Sequence, residues 1–595
     1  MRWYWGVENM PGIIGGTDDP DLITRMVNAT NYCNDLKAKL LGKGAFALGV
    51  VYKENFKPKI WEQGSKAGII YGFTYCSGIS SKNSEKIITM TLQNPRDTLS
   101  RIDGSFLIAC IDSKEKKFVV ATDKLATQPC FYSILNDRLI FSSEIKNILP
   151  QLDTKTVDIK AIGDLIAFEF MLGDRTLVKE VKLLPSASFL EWKQGKVRIK
   201  RYWDFKYSFI RRDRNYASRL LNCYKKIVYI TLRNLNQHRM GIFLSGGLDS
   251  RLLAGVIAKY TNKVKTITFD GNPFGGINLR LGREVAECLG LENFQLQFDP
   301  AALKPEKIEK AVIMAEGMIP WIHVAFPIMD NPWIFENIDV IISNGGQGEF
   351  FGEDFRMEEL TSQKDSVDIL ANNMVFRNSV PEKIIETILK YKYSVKEEIR
   401  KLILKSDKKT NYEKILDAMY QNFYSNFHSK GALLLLNLVG VVNILSNTEL
   451  LNMISSLPLN LRWGRRIANK ISLYPVSPLK LELIRLINAN LAKIQYERTG
   501  ATPKSNILVH FISHYLKTIL GREKNAINFG SLMRRDRLQR YIYNLISDFG
   551  NRDFTNAELL FDLLDEHMSG KADHTILIGA VTTAEIFIKK WGLDI

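Results

Sequence analysis

The stretch HRMGIFLSGGLDSRLLAGVIAKY, residues 238 to 260, constrains the fold most tightly. An apolar run ends at Leu244, a helical pattern follows, and between them stand Ser245, Gly246, Gly247, Asp249 and Ser250. A strand that turns directly into a helix aims amide groups and the positive end of the helix dipole at whatever fills the turn. Glycine lets those amides approach an anion closely, and two hydroxyls add donors, so the segment reads as a phosphate cradle. A carboxylate beside phosphate is repulsive unless a cation lies between them. Mg²⁺, which favours carboxylate and phosphate oxygens together, suits Asp249 as its ligand. The Lys of the GxxxxGK[ST] nucleotide loop is missing, so this is a different device. The plain alternative is a Gly-rich turn that packs a helix on a strand.

The surroundings support a nucleotide site. From about residue 206 strands and helices alternate: MGIFL, then RLLAGVIAKY, VKTITF, LGREVAECLG ended by Gly290, FQLQF and DVIISN. Such alternation implies right-handed crossovers, a doubly wound parallel sheet and ligands at the carboxyl ends of the strands. Residues 104 to 142 instead hold short apolar runs broken by turns, the mark of strands covered on both faces. The run PSASFLEWKQGKVRIKRYWDF reads as a hairpin turning at Gln194 and Gly195. After residue 360 almost everything reads as helix. A chain of 595 residues exceeds a single core, and the expected division is 1–205 and 206–595.

The SGGxDS motif resembles the pyrophosphate loop of ATP pyrophosphatases, and further stretches narrow the resemblance to the asparagine synthetase family. Residues 103–149 resemble the end of that family's class II amidotransferase domain through Asp103, Gly104, Phe106, Asp112, Asp123, Pro129, Tyr132, Ser143, Glu144 and Lys146. SNGGQGEFFGE, from Ser343, is similar to the family's SGEGxDELFGG. The resemblance implies an N-terminal layered antiparallel-sheet (Ntn-hydrolase-like) domain, α+β in class. An α/β ATP-pyrophosphatase domain with a helical C-terminal part follows it. It also implies ATP and Mg²⁺ as cofactors, with Phe243 and Ile267 contacting adenine from their strand ends and Ser343 and Asn344 holding the nucleotide's other side. Phe243 and Ile267 have an equally plain reading as sheet-core residues.

The sequence departs from the family in both halves. NMPGIIGG is similar to the family's MCGIxG, yet Pro11 stands where the nucleophilic Cys would, and ten residues precede it. Proline offers no nucleophile and an internal position no free amine, so glutamine hydrolysis is expected to be absent. The domain would then persist as a structural partner, as in beta-lactam synthetases and lasso-peptide cyclases. In the second half Gly345 and Gly348 replace the family's Glu and its second metal carboxylate, leaving Glu349 as the nearest acid, with Glu353 or Asp354 as substitutes. Asn447, in NILSNTEL, replaces another acid. The catalytic Lys of the family aligns best with Arg498, flanked by Lys493 and Lys504. A helix carrying Leu481, Ile484, Ile487, Leu491 and Ile494 would deliver that loop. A cation there stabilises charge developing on the α-phosphate, although Arg cannot release a proton as Lys can.

The resemblance therefore implies a ligase that activates a small carboxylate or peptide as an acyl adenylate and joins it to an amine or ammonia. An asparagine synthetase fed free ammonia, a peptide or lactam cyclase, and a nucleotide-binding scaffold without turnover remain alternatives. A net charge of +17 raises an RNA-modifying reading, but the basic residues are spread along the chain, which favours a solvated surface over a nucleic-acid site. Six cysteines without metal-like spacing read as reduced thiols and point to the cytoplasm. The longest apolar stretch, ALLLLNLVGVVNIL, is too short and too polar to span a bilayer, so no membrane partner is expected. A homodimer is compatible with all of this.

Overall fold

The computed structural model describes residues 11–17, 19–30, 36–76, 83–270, 276–329, 331–353, 360, 365–374, 380–462, 466–467, 471–472, 476–519 and 527–594. Asp354 and the first ten residues lie outside them. Two antiparallel sheets of six strands come first. One runs Lys182–Leu183, Phe131–Leu135, Arg138–Ser142, Gly12–Thr17, Phe46–Lys53, Leu36–Lys43. The other runs Lys196–Arg201, Ser188–Lys193, Lys117–Thr122, Phe106–Asp112, Lys66–Gly72, Lys59–Gln63.

Strand periodicity explains why the runs in residues 104–142 are apolar at consecutive positions. Leu107, Ala109 and Ile111 join the core shared with the first sheet, whereas Phe106, Ile108 and Cys110 pack with Ile87, Ile88 and Leu92 of the helix Ser84–Gln93. Alternate residues thus face opposite, equally apolar layers. The expected hairpin is present: Ser188–Lys193 pairs with Lys196–Arg201, and Gln194 and Gly195 both have positive φ, 51° and 82°. That is the mirror-image turn whose twist matches the strands it joins.

The third sheet is parallel throughout, in the order Asn293–Gln297, Lys265–Asp270, Met240–Phe243, Val340–Ser343, Gly440–Asn443. Chain order reverses between Met240–Phe243 and Val340–Ser343, so the loops after these two strands open side by side at the topological switch point. Four of its strands are those expected. The fifth, Gly440–Asn443, corrects the reading of the C-terminal part as helix: one apolar stretch divides into a helix, Leu433–Leu438, and a buried strand. Periodicity cannot separate two short elements that are both fully buried. Gly440 is required there, because a Cβ would lie 2.4 Å from the Phe56 ring.

No helix among the described residues is long and apolar enough to cross a membrane. Cys110, Cys130, Cys223 and Cys288 are free thiols.

The sheets are tied together by buried polar groups. Asp123 accepts from the amides of Phe106, Leu125 and Gln128 and from the hydroxyls of Thr127 and Ser446. Asp103 accepts from Lys124, Asn447 and Thr448. Asn447, which stands at the family's acid position, is thus a bridge and a helix cap, its Oδ1 receiving the Leu450 amide at 3.1 Å. Nearby, Glu316 and Glu144 share the Lys146 ammonium, at 3.5 and 2.7 Å, with all three side chains at most 4% exposed.

Burial, and then Glu144, hold the Glu316 carboxyl above its usual range even though Lys146 and two backbone amides favour the charged form. A group that holds its proton in the folded chain but not in the unfolded one contributes stability that is present at low pH and fades as pH rises. The window opens above the unfolded carboxyl pKa of ~4.3 and closes at the raised native value. Urea unfolding of wild type should therefore show stability declining across this window, and Glu316→Gln, which still accepts the two amide bonds, should flatten the decline.

Candidate active site

The expected strand-to-helix turn is present between the strand Met240–Phe243 and the helix Leu248–Ile257, with Gly247 as the extended N-cap residue. Its hydroxyls hold the loop shut on itself. Ser250 Oγ accepts the Ser245 amide at 3.0 Å, Ser245 Oγ accepts the Gly247 amide at 3.1 Å, and the two oxygens are 3.0 Å apart. The Gly246 amide donates to Asn278 Oδ1 at 3.0 Å. Three loop amides expected to face an anion thus have internal acceptors. What remains for an anion is the first turn of the helix and the side chains at the cradle's mouth.

Gly246 is needed for close approach. A Cβ there would lie 2.7 Å from Leu281 and 2.9 Å from Glu497.

Asp249 sits at that mouth, with 32% of its side chain exposed. Its Oδ1 accepts from Gln347 Nε2 at 3.1 Å and its Oδ2 from Lys480 Nζ at 2.6 Å. Lys480 is 3% exposed and also lies 3.1 Å from Glu353 Oε2, which in turn is 3.4 Å from Arg498 Nη2. Burial and the neighbouring Glu353 and Glu349 carboxylates raise the Asp249 carboxyl, while Lys480 opposes them. Burial works against the Lys480 ammonium, but Asp249 and Glu353 outweigh it and hold the amine charged.

These donors do not fit the Mg²⁺ expected on Asp249. Both carboxylate oxygens are engaged, one by an ammonium, and Gly348 brings no second acid. Among the described residues no three His, Cys, Asp or Glu side chains converge as a metal site. Glu349, the other acid expected to act here, has its Oε2 3.2 Å from His428 Nε2.

Arg498 reaches the site on the segment 491–500. The helix expected to deliver it ends at Ile487 rather than Ile494. Asn488 is extended, and its side chain takes the amides of Asn490 and Leu491 at 2.8 and 3.4 Å, a local bond set that competes with the helix. The segment is held instead by Arg251, which is fully buried and donates to the carbonyls of Leu491, Ile494, Gln495 and Gly246. On its other side, helix Ile507–Ile519 meets it through His510 on Thr499 and Ser513 on the Thr499 carbonyl. Lys493 pairs with Asn490 and Lys504 is exposed, so neither flanking cation joins the cluster.

The remaining candidates surround the same opening. Ser343 Oγ accepts the Gly345 amide at 3.1 Å, and Asn344 donates to Gln347, whose carbonyl also receives the Tyr224 hydroxyl at 2.7 Å. Phe243 is half-buried and Ile267, its register partner, is fully buried, a core position. Four participants escape sequence reasoning: Lys480, Gln347, Asn278 and Arg251. Lys480 carried a signal, a lysine on the same helical face as Leu483, Ile484 and Ile487, where an unpaired charge would be costly.

At the other site, Pro11 is buried at the start of Gly12–Thr17, and Gly12 abuts Ser143, where a Cβ would lie 2.4 Å from Oγ.

Comparison with known proteins gives two family matches, a glutamine amidotransferase domain over residues 77–203 and asparagine synthase over residues 231–429. Asparagine synthetase [glutamine-hydrolyzing] 1 of Bacillus subtilis is 22% identical over 293 residues, 47% of this chain and 44% of that protein. Amidase chyE of Penicillium rubens is 22% identical over 309 residues, 48% of this chain and 45% of that protein. Asparagine synthetase [glutamine-hydrolyzing] 3 of Bacillus subtilis is 26% identical over 190 residues, 31% and 30% respectively. The chain thus spans less than half the length of these relatives.

If Arg251 is the tether of the Arg498 segment, Arg251→Met should lower stability on the order of 2–4 kcal/mol. Limited trypsin digestion should then cut after Lys493 and Arg498 before the rest of the fold opens.

Proposed function

The chain belongs to the asparagine synthetase family, and from that premise we propose that it is an ATP-dependent ligase forming a carbon–nitrogen bond without hydrolysing glutamine itself. The carrying observation is the SGGLDS loop at the sheet's switch point, with Lys480 on its one carboxylate, Asp249, and Arg498 on Glu353, which Lys480 also contacts. A substrate carboxylate oxygen attacks the α-phosphorus of ATP, forming an acyl–AMP linkage as the bond to the β-phosphate oxygen breaks and pyrophosphate leaves. An amine nitrogen then attacks the acyl carbon, the C–N bond forms, AMP leaves and the amine loses its proton to solvent.

In this scheme the first turn of the helix Leu248–Ile257 and Lys480 receive the phosphates, and Phe243 with Ser343 and Asn344 line the nucleoside. Arg498 stabilises charge on the α-phosphate as a fixed cation. Holding acid, adenylate and amine together supplies much of the remaining rate. The 1–205 and 206–595 units have separate roles, the first structural: Pro11 carries no thiol or hydroxyl to attack an amide. The amine therefore comes from free ammonia or from the substrate, as in an intramolecular cyclisation.

A second reading, nucleotide binding without turnover, is favoured by one specific feature, the absence of an acid at Gly348.

A pyrophosphate-release screen of amino acids and peptides, with ammonia, with glutamine and with no added amine, separates the readings. Release with ammonia or with no added amine, abolished by Asp249→Ala, is the expected result. Arg498→Ala should cut turnover about 10²–10³-fold while Arg498→Lys restores part of it. Nucleotide binding with no release for any acid favours the second reading, and glutamate formation from glutamine contradicts the structural role given to the first unit.

A further inference from the structure

Resting on the nucleotide-site reading above, we propose that Lys480 is a built-in cation that replaces the divalent metal of this phosphate cradle, so that the site takes a nucleoside triphosphate in its metal-free form. Position 348 is where a second metal carboxylate would project. A Cβ on Gly348 would lie 3.4 Å from Lys480 Nζ, 3.5 Å from Asp249 Oδ2 and 3.6 Å from Glu353 Oε2. An acid there would point into the middle of this cluster. Its absence leaves one carboxylate at the mouth, and the ammonium takes it, with 2.6 Å between Nζ and Oδ2.

A divalent ion would have to bind Asp249 at about 2.1 Å, in contact with an ammonium that is buried to 3% exposure and cannot withdraw into solvent. The surroundings make a further cation costly. Lys480 lies in the first turn of helix Pro478–Ile487 and reaches the first turn of helix Leu248–Ile257, so two positive helix ends already face the cluster. Asp249 and Glu353 are paired directly with Lys480 and Arg498, while Glu349, which also bears on Asp249, faces His428.

An ammonium carries three N–H donors. Two are directed at Asp249 and Glu353, and the third is the one a phosphate oxygen would accept. The loop amides of Ser245, Gly246 and Gly247 already have internal acceptors. Fixed side-chain cations, Lys480 beside Asp249 and Arg498 beside Glu353, therefore supply positive charge that a triphosphate would meet in place of those loop amides.

The test is calorimetric titration of the full chain with ATP, once in EDTA and once in excess MgCl₂, for wild type, Lys480→Met and Gly348→Asp. Wild type should bind ATP in EDTA within about threefold of its affinity in Mg²⁺, and Lys480→Met should lose about tenfold or more in EDTA. Gly348→Asp meets no contact closer than 3.4 Å and its backbone lies outside the left-handed region, so it should fold. It should bind ATP in Mg²⁺ but weaken by about tenfold or more in EDTA, having acquired a metal ligand. Wild-type binding that collapses in EDTA overturns the proposal, as does a Gly348→Asp chain as indifferent to EDTA as wild type. Failure of wild type to bind ATP in either buffer would instead overturn the nucleotide-site reading on which this rests.

Discussion

The contact between Lys480 and Asp249 is the constraint around which the site is arranged. It joins two helices whose N-terminal ends converge on the switch point, an arrangement that is repulsive toward a cation unless carboxylates intervene. Asp249 and Glu353 supply them, and the cost of burying Lys480 and Glu353 is offset by pairing each with opposite charges within 3.4 Å. Much nearby geometry serves this cluster. Gln347 fixes the other oxygen of Asp249 and is itself fixed by Tyr224, which belongs to helix Tyr216–Asn234 behind the sheet. Arg251 closes the remaining side by binding carbonyls of the segment that ends in Arg498.

The strand-to-helix turn at SGGLDS was legible in the sequence because an apolar run, two glycines and a helical pattern follow one another there. The parallel sheet was legible because four of its strands were separated by helices with clear periodicity. The strand Gly440–Asn443 was not, since its apolar residues continue those of Leu433–Leu438 and burial on all sides removes the alternation that distinguishes strand from helix. The early end of helix Pro478–Ile487 was hidden in the side chain of Asn488, whose local bonds count for more than the apolar spacing that continues to Ile494.

The partners of the site residues were less legible than the residues themselves, and for one reason. Asp249 reads as a metal ligand when only its neighbours in sequence are considered, yet its charge is answered from 231 positions away. The same holds for Asn447, which reads as a lost acid and proves to bridge to Asp103, 344 positions earlier. A substitution inside a motif has a meaning set by whatever the fold places opposite it, and spacing along the chain carries no record of that.

Contacts between the antiparallel sheets and the parallel sheet give a physical reason for the N-terminal strands to persist whatever side chain stands at position 11. Gly440–Asn443 is an edge of the parallel sheet, and an uncovered edge leaves backbone donors and acceptors unpaired. Here that edge is covered by the other half: the Asn443 amide donates to Ser105 Oγ at 2.8 Å, the Gly104 amide to the Ser446 carbonyl at 3.0 Å, and the Phe56 ring lies against Gly440. Asn443 in turn donates to the Gly345 carbonyl, in the loop that carries Gln347. The antiparallel sheets are therefore linked to the candidate site by hydrogen bonds from Asn443 to Ser105 and to Gly345, and along the chain from Gly345 to Gln347, which donates to Asp249. Selection for that link requires the strands and their buried faces, and makes no demand on a thiol at position 11.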